Sequence, residues 1–418
     1  MSFEPDSQSQ ALLELAIELD LDRQLRDELA YLHQRPELSG EEWETAEHLQ
    51  QFCQAQGCLI HPLANNPGFI AELPVPSSPF AVAFRADMDA LPVCEAAENL
   101  RQSKSVLSQK EGVSHLCGHD AHMSLALGLL ALAARLHARQ QLPGTLLILF
   151  ESGEENGSGI QAMLTGVEAW RQAHPEQHLC AILGNHVLAS LPSNRYALTA
   201  GPCMGGIHNV DFTLIGQGGH GSRPDEAINP IFAAAAVLQG LSVAWSQRLD
   251  VTETVTLGLC QIHAGTANNV IPETCRISGT LRYFQARALQ EALAAVHDVV
   301  EQTAAAHRCR VEWHPHPGYD PVINDPPLTE HVQKAMLPLA SMLGLEPEVG
   351  RTWFASESFS QYRRLAPSVF TFFGIQNPDF GSGAAHHHSQ FEVDPDILLP
   401  ACLLSFQAVL SAYPASEG

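Results

Sequence analysis

Apolar positions recur at helical spacing near the start of the chain, at Leu12, Leu13, Leu15, Ala16 and Leu19, then at Leu25, Leu29 and Leu32. Pro36 ends that pattern, because proline lacks the donor a helix interior needs. Ser39 and Glu42 have capping-box spacing for a helix reaching about Gln56. The period then changes. Phe80–Phe84 and Thr145–Phe150 are short apolar runs of the kind buried strands make, and His122–His137 between them reads as an apolar helix. Ala181–Val187 reads as another strand. Strands alternating with helices predict an α/β fold with a doubly wound, mainly parallel sheet.

The middle of the chain has a different order. Asn209–Ile215 is strand-like, Ile228–Gln247 helical, Val255–His263 and Thr274–Phe284 strand-like, Ala286–His307 helical and Cys309–Trp313 strand-like. That is βαββαβ, the ferredoxin-like unit, compact enough to be an insertion. Helix, strand and helix return at Leu328–Leu343, Ser368–Ile375 and Pro395–Tyr413. The expected organisation is residues 1–204 and 318–418 as one catalytic domain, with 205–317 inserted.

The length of 418 residues and an apolar share of 45% fit a globular protein with a substantial core. Lys and Arg number 22 against 46 Asp and Glu, a formal charge of −24. Such a chain is a poor partner for nucleic acid or for anionic membranes, both of which call for basic surfaces. The longest apolar run, Leu125–Ala134, is shorter than the roughly 18 residues of a membrane span. The N-terminus is polar and acidic, without the basic and apolar regions of a signal peptide. Ten cysteines without framework spacing suggest reduced thiols in a cytoplasmic protein.

Candidate chemistry falls at strand ends and loops, where open α/β sheets place their sites. Arg85-Ala-Asp-Met-Asp-Ala-Leu-Pro92 follows a strand and carries Asp87 and Asp89; a solvated strand end would look the same. His115-Leu-Cys-Gly-His-Asp-Ala-His122 packs a thiol, three imidazoles and a carboxylate before a helix, a density that suits zinc-like metals. In Phe150-Glu-Ser-Gly-Glu-Glu-Asn-Gly157, Glu154 and Glu155 repel each other unless a positive charge lies near. After a buried strand, such a pair suits one metal ligand plus one general base. Gly184-Asn-His186 ends a strand with an imidazole that structure alone could explain. His386-His-His-Ser-Gln-Phe391 could equally be a solvated loop. Gly216-Gln-Gly-Gly-His-Gly221 matches a dinucleotide fingerprint in letters only, since Ser222-Arg-Pro224 follows instead of a helix.

Taken in order, RADMDALP, HLCGHDAH, the Glu pair, the strand-end histidine, GQGGHGSRP, TANNVIPE and HHHSQF resemble the dinuclear-metal aminoacylase/carboxypeptidase metallopeptidases. The branch is similar to the amidohydrolases that cleave hippurate and indole-acetyl-amino acids. The resemblance implies metal-dependent hydrolysis of N-acyl amino acids, with two divalent ions (zinc, manganese, cobalt or nickel). It implies Cys117, His119, Glu155, His186 and His387 as ligands, with His386 and His388 flanking the last. It implies Glu154 as general base, His220 as the group polarising the scissile carbonyl, and Asn269 and Arg282 as holders of the substrate carboxylate. It further implies a homodimer through the inserted domain, which would serve as a lid. Three departures bear on the substrate pocket: Glu151-Ser-Gly153 stands where Gln-Pro-Ala is usual, Ser356-Glu-Ser-Phe359 replaces Ser-Glu-Asp-Phe, and the proline after the last ligand histidine is missing. A dipeptidase or carboxypeptidase would use the same site, and a silent binding protein would use the same scaffold.

Overall fold

The computed structural model describes residues 7–316 and 318–414. The expected domain boundary at 317, and the chain ends 1–6 and 415–418, lie outside the described residues. The chain divides into two units. One comprises 1–201, 323–351 and 361–418; the other comprises 202–322 and 352–360.

The first unit is built on an eight-stranded sheet in the order Leu59–Pro62, Phe69–Leu73, Thr145–Glu151, Phe80–Asp87, His178–Pro192, Ser368–Gln376, Arg195–Ala197 and Glu346–Glu348. The four central strands, from Thr145–Glu151 to Ser368–Gln376, run parallel. Antiparallel pairs flank them on either side. Both faces are covered, so every residue of Thr145–Glu151 is buried. Val82, Phe84, Ile148 and Phe150 join one core with helix His119–Ala138 and helix Leu398–Ser411. On the other face, helix Ile160–Ala173 packs against Phe69–Leu73 and Thr145–Glu151. The expected α/β class with a mainly parallel sheet is therefore the one adopted.

Helix His119–Ala138 has the length and apolarity to cross a membrane, but 72% of its apolar window is buried inside this unit. It begins three residues before the apolar pattern does. The helix Trp43–Ala55 corrects another expectation. Ser39 and Glu42 do not form a capping box: the Ser39 hydroxyl donates to Asp89 at 2.6 Å, and the Glu42 carboxylate accepts from Ser152 and Gly153. Buried hydrogen-bond partners elsewhere in the fold, an acceptor for Ser39 and donors for Glu42, outcompete the local cap.

The second unit has a four-stranded antiparallel sheet in the order Val255–Ala264, Thr274–Tyr283, Gly206–Ile215 and Arg310–Trp313. With helices Pro230–Gln247 and Ala286–Ala306 this is the βαββαβ arrangement. Val210, Phe212 and Leu214 alternate inward against Val237 and Val296. A separate two-stranded ribbon pairs Gly219–His220 with Val270–Ile271.

Candidate metal centre

Parallel strands bring their carboxyl ends to one edge, and the site lies there. Asp87 is opposite Glu151, and Arg85 is opposite both Leu149 and Gly184, which sets His186 beyond the same edge. The loop 115–118 then enters the helix at His119. Gly118 makes that entry possible: its φ is +98°, and a Cβ there would lie 2.3 Å from a Val187 methyl.

His119 is oriented by the strand before it. Its Nδ1 lies 2.9 Å from the Asp89 carbonyl oxygen and 3.0 Å from Asp89 Oδ1. Nε2 is thereby aimed inward. It is buried and has no hydrogen-bond partner. Glu155 Oε1, 3.9 Å away, is likewise buried without one. Cys117 Sγ lies 3.6 Å from His186 Nε2, and His186 Nδ1 is held by the Val187 carbonyl at 2.6 Å. Asp89 also accepts from the Glu155 backbone N–H at 2.9 Å, so one carboxylate fixes both an imidazole and the acidic turn.

Two sets of potential ligand atoms result, and they share one sulfur. Cys117, His119 and His186 form the first, and Cys117, Glu155 and His387 the second; within each, the donor atoms lie within 4.8 Å of one another. His119, Glu154 and Glu155 form a further group on the same terms. Thiol, imidazole and carboxylate atoms gathered this closely, with His119 Nε2 buried and unpartnered among them, are the ones a borderline divalent cation takes. The residues present therefore fit metal binding.

The three consecutive histidines differ in their contacts, and His386 Nδ1 lies 3.9 Å from Cys117 Sγ. His386 Nε2 accepts from the Ala189 N–H at 3.1 Å, and His388 Nδ1 accepts from the Gln390 N–H at 3.2 Å. His387 takes a left-handed φ of +67°, its N–H donates to the Leu116 carbonyl at 2.8 Å, and its Nε2 lies 3.2 Å from Glu155 Oε1. Such backbone strain in a non-glycine residue is tolerated where surrounding contacts fix it, commonly at functional sites. The structure thus brings His387 to Cys117 and Glu155.

His122 could complete a ligand group with Asp87 and His119, but both of its ring nitrogens are engaged. Its Nε2 accepts from the Val187 N–H at 3.0 Å, so Nδ1 carries the proton and donates to Asp87 at 2.6 Å. Behind it lies a buried chain that the sequence did not announce. Arg85 donates to Asp87 at 2.7 Å and to Glu151 at 2.9 Å, and the Tyr362 hydroxyl donates to Glu151 at 2.7 Å. The two-residue spacing of Arg85 and Asp87 on a strand was the available signal; Glu151 and Tyr362 are linked to it only through the fold.

Electrostatics agree with a site built for positive charge. Burial works against the Asp87 carboxylate, yet His119, Arg85 and His122 hold it well below the usual range. Burial likewise opposes charge on His119, yet Asp87 and the Asp89 hydrogen bond raise its proton affinity well above normal. Burial, then Glu155, pushes the Cys117 thiol up, so a thiolate here calls for a cation beside it.

The remaining expected residues belong to the second unit. His220 is exposed on the short ribbon, and its Nδ1 accepts from the Ser222 N–H at 3.1 Å. Asn269 is exposed, adjoins the other strand of that ribbon, and accepts from the Gly221 N–H at 2.8 Å through its backbone carbonyl. Arg282 lies on strand Thr274–Tyr283, with Nη1 buried and unpartnered. The GxGxxG-like segment contains the ribbon strand Gly219–His220, and after a short 3-10 turn at Pro224–Glu226 the α-helix begins only at Pro230.

Residues 83–410 match the model of Peptidase family M20/M25/M40. The chain belongs to this family. It is 30% identical over 377 residues to an IAA-amino acid hydrolase, ILR1-like 4, of Arabidopsis thaliana, covering 88% of this chain and 80% of that protein. It is 28% identical over 370 residues to thermostable carboxypeptidase 2 of Saccharolobus solfataricus, covering 88% of this chain and 90% of that protein. A solved dinuclear metal-binding peptidase of the family from Bacillus subtilis superposes with a TM-score of 0.77 at 25% identity, covering 94% of this chain and 98% of that one. Family, fold and hydrolase class agree with the expectations drawn from the motifs.

Proposed function

We propose that the chain hydrolyses the amide bond of N-acyl amino acids, releasing a carboxylic acid and a free amino acid. Two divalent cations would be held by Cys117, His119, Glu155, His186 and His387. The observation that carries this reading is the pair of ligand sets joined at Cys117, with Glu154 beside Glu155. The cations would acidify water and polarise the amide carbonyl. Glu154 takes the proton from the attacking water and delivers it to the leaving nitrogen. His220 stabilises the developing oxyanion. Asn269 and Arg282 bind the substrate carboxylate; the unpartnered Arg282 Nη1 supports this, because a guanidinium fork suits a carboxylate. The thiolate ligand favours zinc, while imidazole and carboxylate also suit manganese, cobalt or nickel.

The same reading makes residues 205–317 a lid and a homodimer interface in a cytoplasmic enzyme. All ten cysteines are free, which supports a reducing compartment. The archaeal relative named a carboxypeptidase favours a second reading, peptide cleavage at the same site.

The test is amino-acid release from a panel of N-acyl amino acids and unmodified dipeptides, with each metal supplied. Release from acylated substrates supports the proposal. Release from free dipeptides alone moves the function to a peptidase. No release with any metal leaves the silent scaffold.

A further inference from the structure

We propose that the first unit carries a second binding site, a cavity behind the metal-centre loops, for a small neutral aromatic molecule bearing one hydroxyl or N–H group. The cavity has a volume of about 270 Å³. A dry apolar cavity of about 150 Å³ accepts benzene, so this one has room for a substituted ring. Leu29, Val106, Phe380 and Phe391 supply an apolar lining. His115 also lines it, is 2% exposed, and has no hydrogen-bond partner at either ring nitrogen. A buried imidazole with two unmet hydrogen-bonding positions is costly, and a ligand hydroxyl or N–H would meet one of them.

The surrounding charges select a neutral ligand. His33 bonds Asp120 through Nδ1 at 2.6 Å and Glu95 through Nε2 at 3.2 Å, so neither nitrogen is spare. Arg26, at the edge, is paired with Asp22 and Asp396. Lys104 is paired with Glu95. A carboxylate would find each of these cations already matched. Glu392 accepts from Asn99 at 2.6 Å, and burial pushes its carboxyl up, so an ammonium group gains little there. The cavity shares its walls with the centre: His115 is two residues before Cys117, and the Phe391 ring lies 5.0 Å from the His386 ring. It is nevertheless independent of the proposed reaction.

The experiment is calorimetric titration of the full chain with benzyl alcohol, benzoate and benzylamine, before and after chelation of metal. Two variants fill the cavity from different segments, Ala30→Phe on helix Leu21–Gln34 and Val106→Phe in the segment between strand Phe80–Asp87 and helix His119–Ala138, and folding is checked by circular dichroism. Benzyl alcohol is expected to bind with a dissociation constant on the order of 1 mM or below, with or without metal. Each folded variant is expected to weaken that binding about ten-fold or more. Unchanged binding in both variants, equal binding of benzoate or benzylamine, or no binding of benzyl alcohol overturns the proposal. Because chelated protein suffices, the outcome is separate from whether the chain hydrolyses amides.

Discussion

Glu42 offers a sharp test of how the acidic turn is held. Its carboxylate is fully buried, accepting from the Ser152 hydroxyl and the Gly153 N–H, both at 2.7 Å. Gly153 leads directly into Glu154 and Glu155, and it takes φ +64°. Glu42→Leu keeps the bulk and removes both acceptors. A buried donor left unpaired costs about 1–3 kcal/mol, so two give about 2–6 kcal/mol. The buried carboxylate was itself expensive, since burial raises its pKa, and leucine recovers part of that. A net loss of about 2–4 kcal/mol follows. Glu42→Gln retains a carbonyl for the Gly153 N–H and turns an N–H towards Ser152, whose hydroxyl can accept, so about 1 kcal/mol is expected. Urea unfolding of metal-free protein reads both values. Metal titration of Glu42→Leu is expected to show affinity reduced about 10–100-fold, as for other residues that support ligands. A leucine variant within about 0.5 kcal/mol of wild type, with unchanged metal affinity, would refute the role assigned to these two bonds.

Cys117→Ala removes the atom common to both ligand sets, so metal analysis after dialysis is expected to find both ions lost; two retained ions per chain would count against a shared thiolate. Asp89→Asn disturbs the imidazole of His119 and the turn at Glu155 together, and metal affinity is expected to fall about 10–100-fold by competition with a chromophoric chelator. Burial opposes charge on His33, but Asp120 and Glu95 raise its pKa to about 10, above the unfolded value of 6.5. Its contribution to stability is therefore full below pH 6.5 and lost as pH rises through about 10. His33→Gln is expected to flatten the alkaline decline of the thermal midpoint, and an equally steep decline would exclude His33 as its source.

Much of the centre was legible because its chemistry is local in sequence. Cys117 and His119 are separated by one glycine, Glu154 and Glu155 are adjacent, and each group follows an apolar strand. What the residues alone could not show is register. Asp87 and Glu151 meet through parallel strand pairing, and Arg85 and Tyr362 then close on them from distant segments. Ser39 and Glu42 misled for the converse reason: their spacing promised a local cap, but a distant carboxylate took the Ser39 hydroxyl and distant donors took the Glu42 carboxylate. The start of helix His119–Ala138 escaped the apolar pattern because its first turn carries imidazoles and a carboxylate. The hairpin Leu59–Leu73 escaped because its edge strand is four residues long and ends in proline. Three identical side chains carry no register of their own; in the fold His387 differs from its neighbours by its left-handed backbone and its approach to Glu155.

The decisive measurement is turnover of an N-acyl amino acid by Glu154→Ala beside wild type, with metal content determined on the same samples. Two ions per chain in both, with turnover lower by about 10²–10⁴-fold in the variant, is the predicted result. Comparable turnover at equal metal content would remove Glu154 as the base and contradict the proposed reaction.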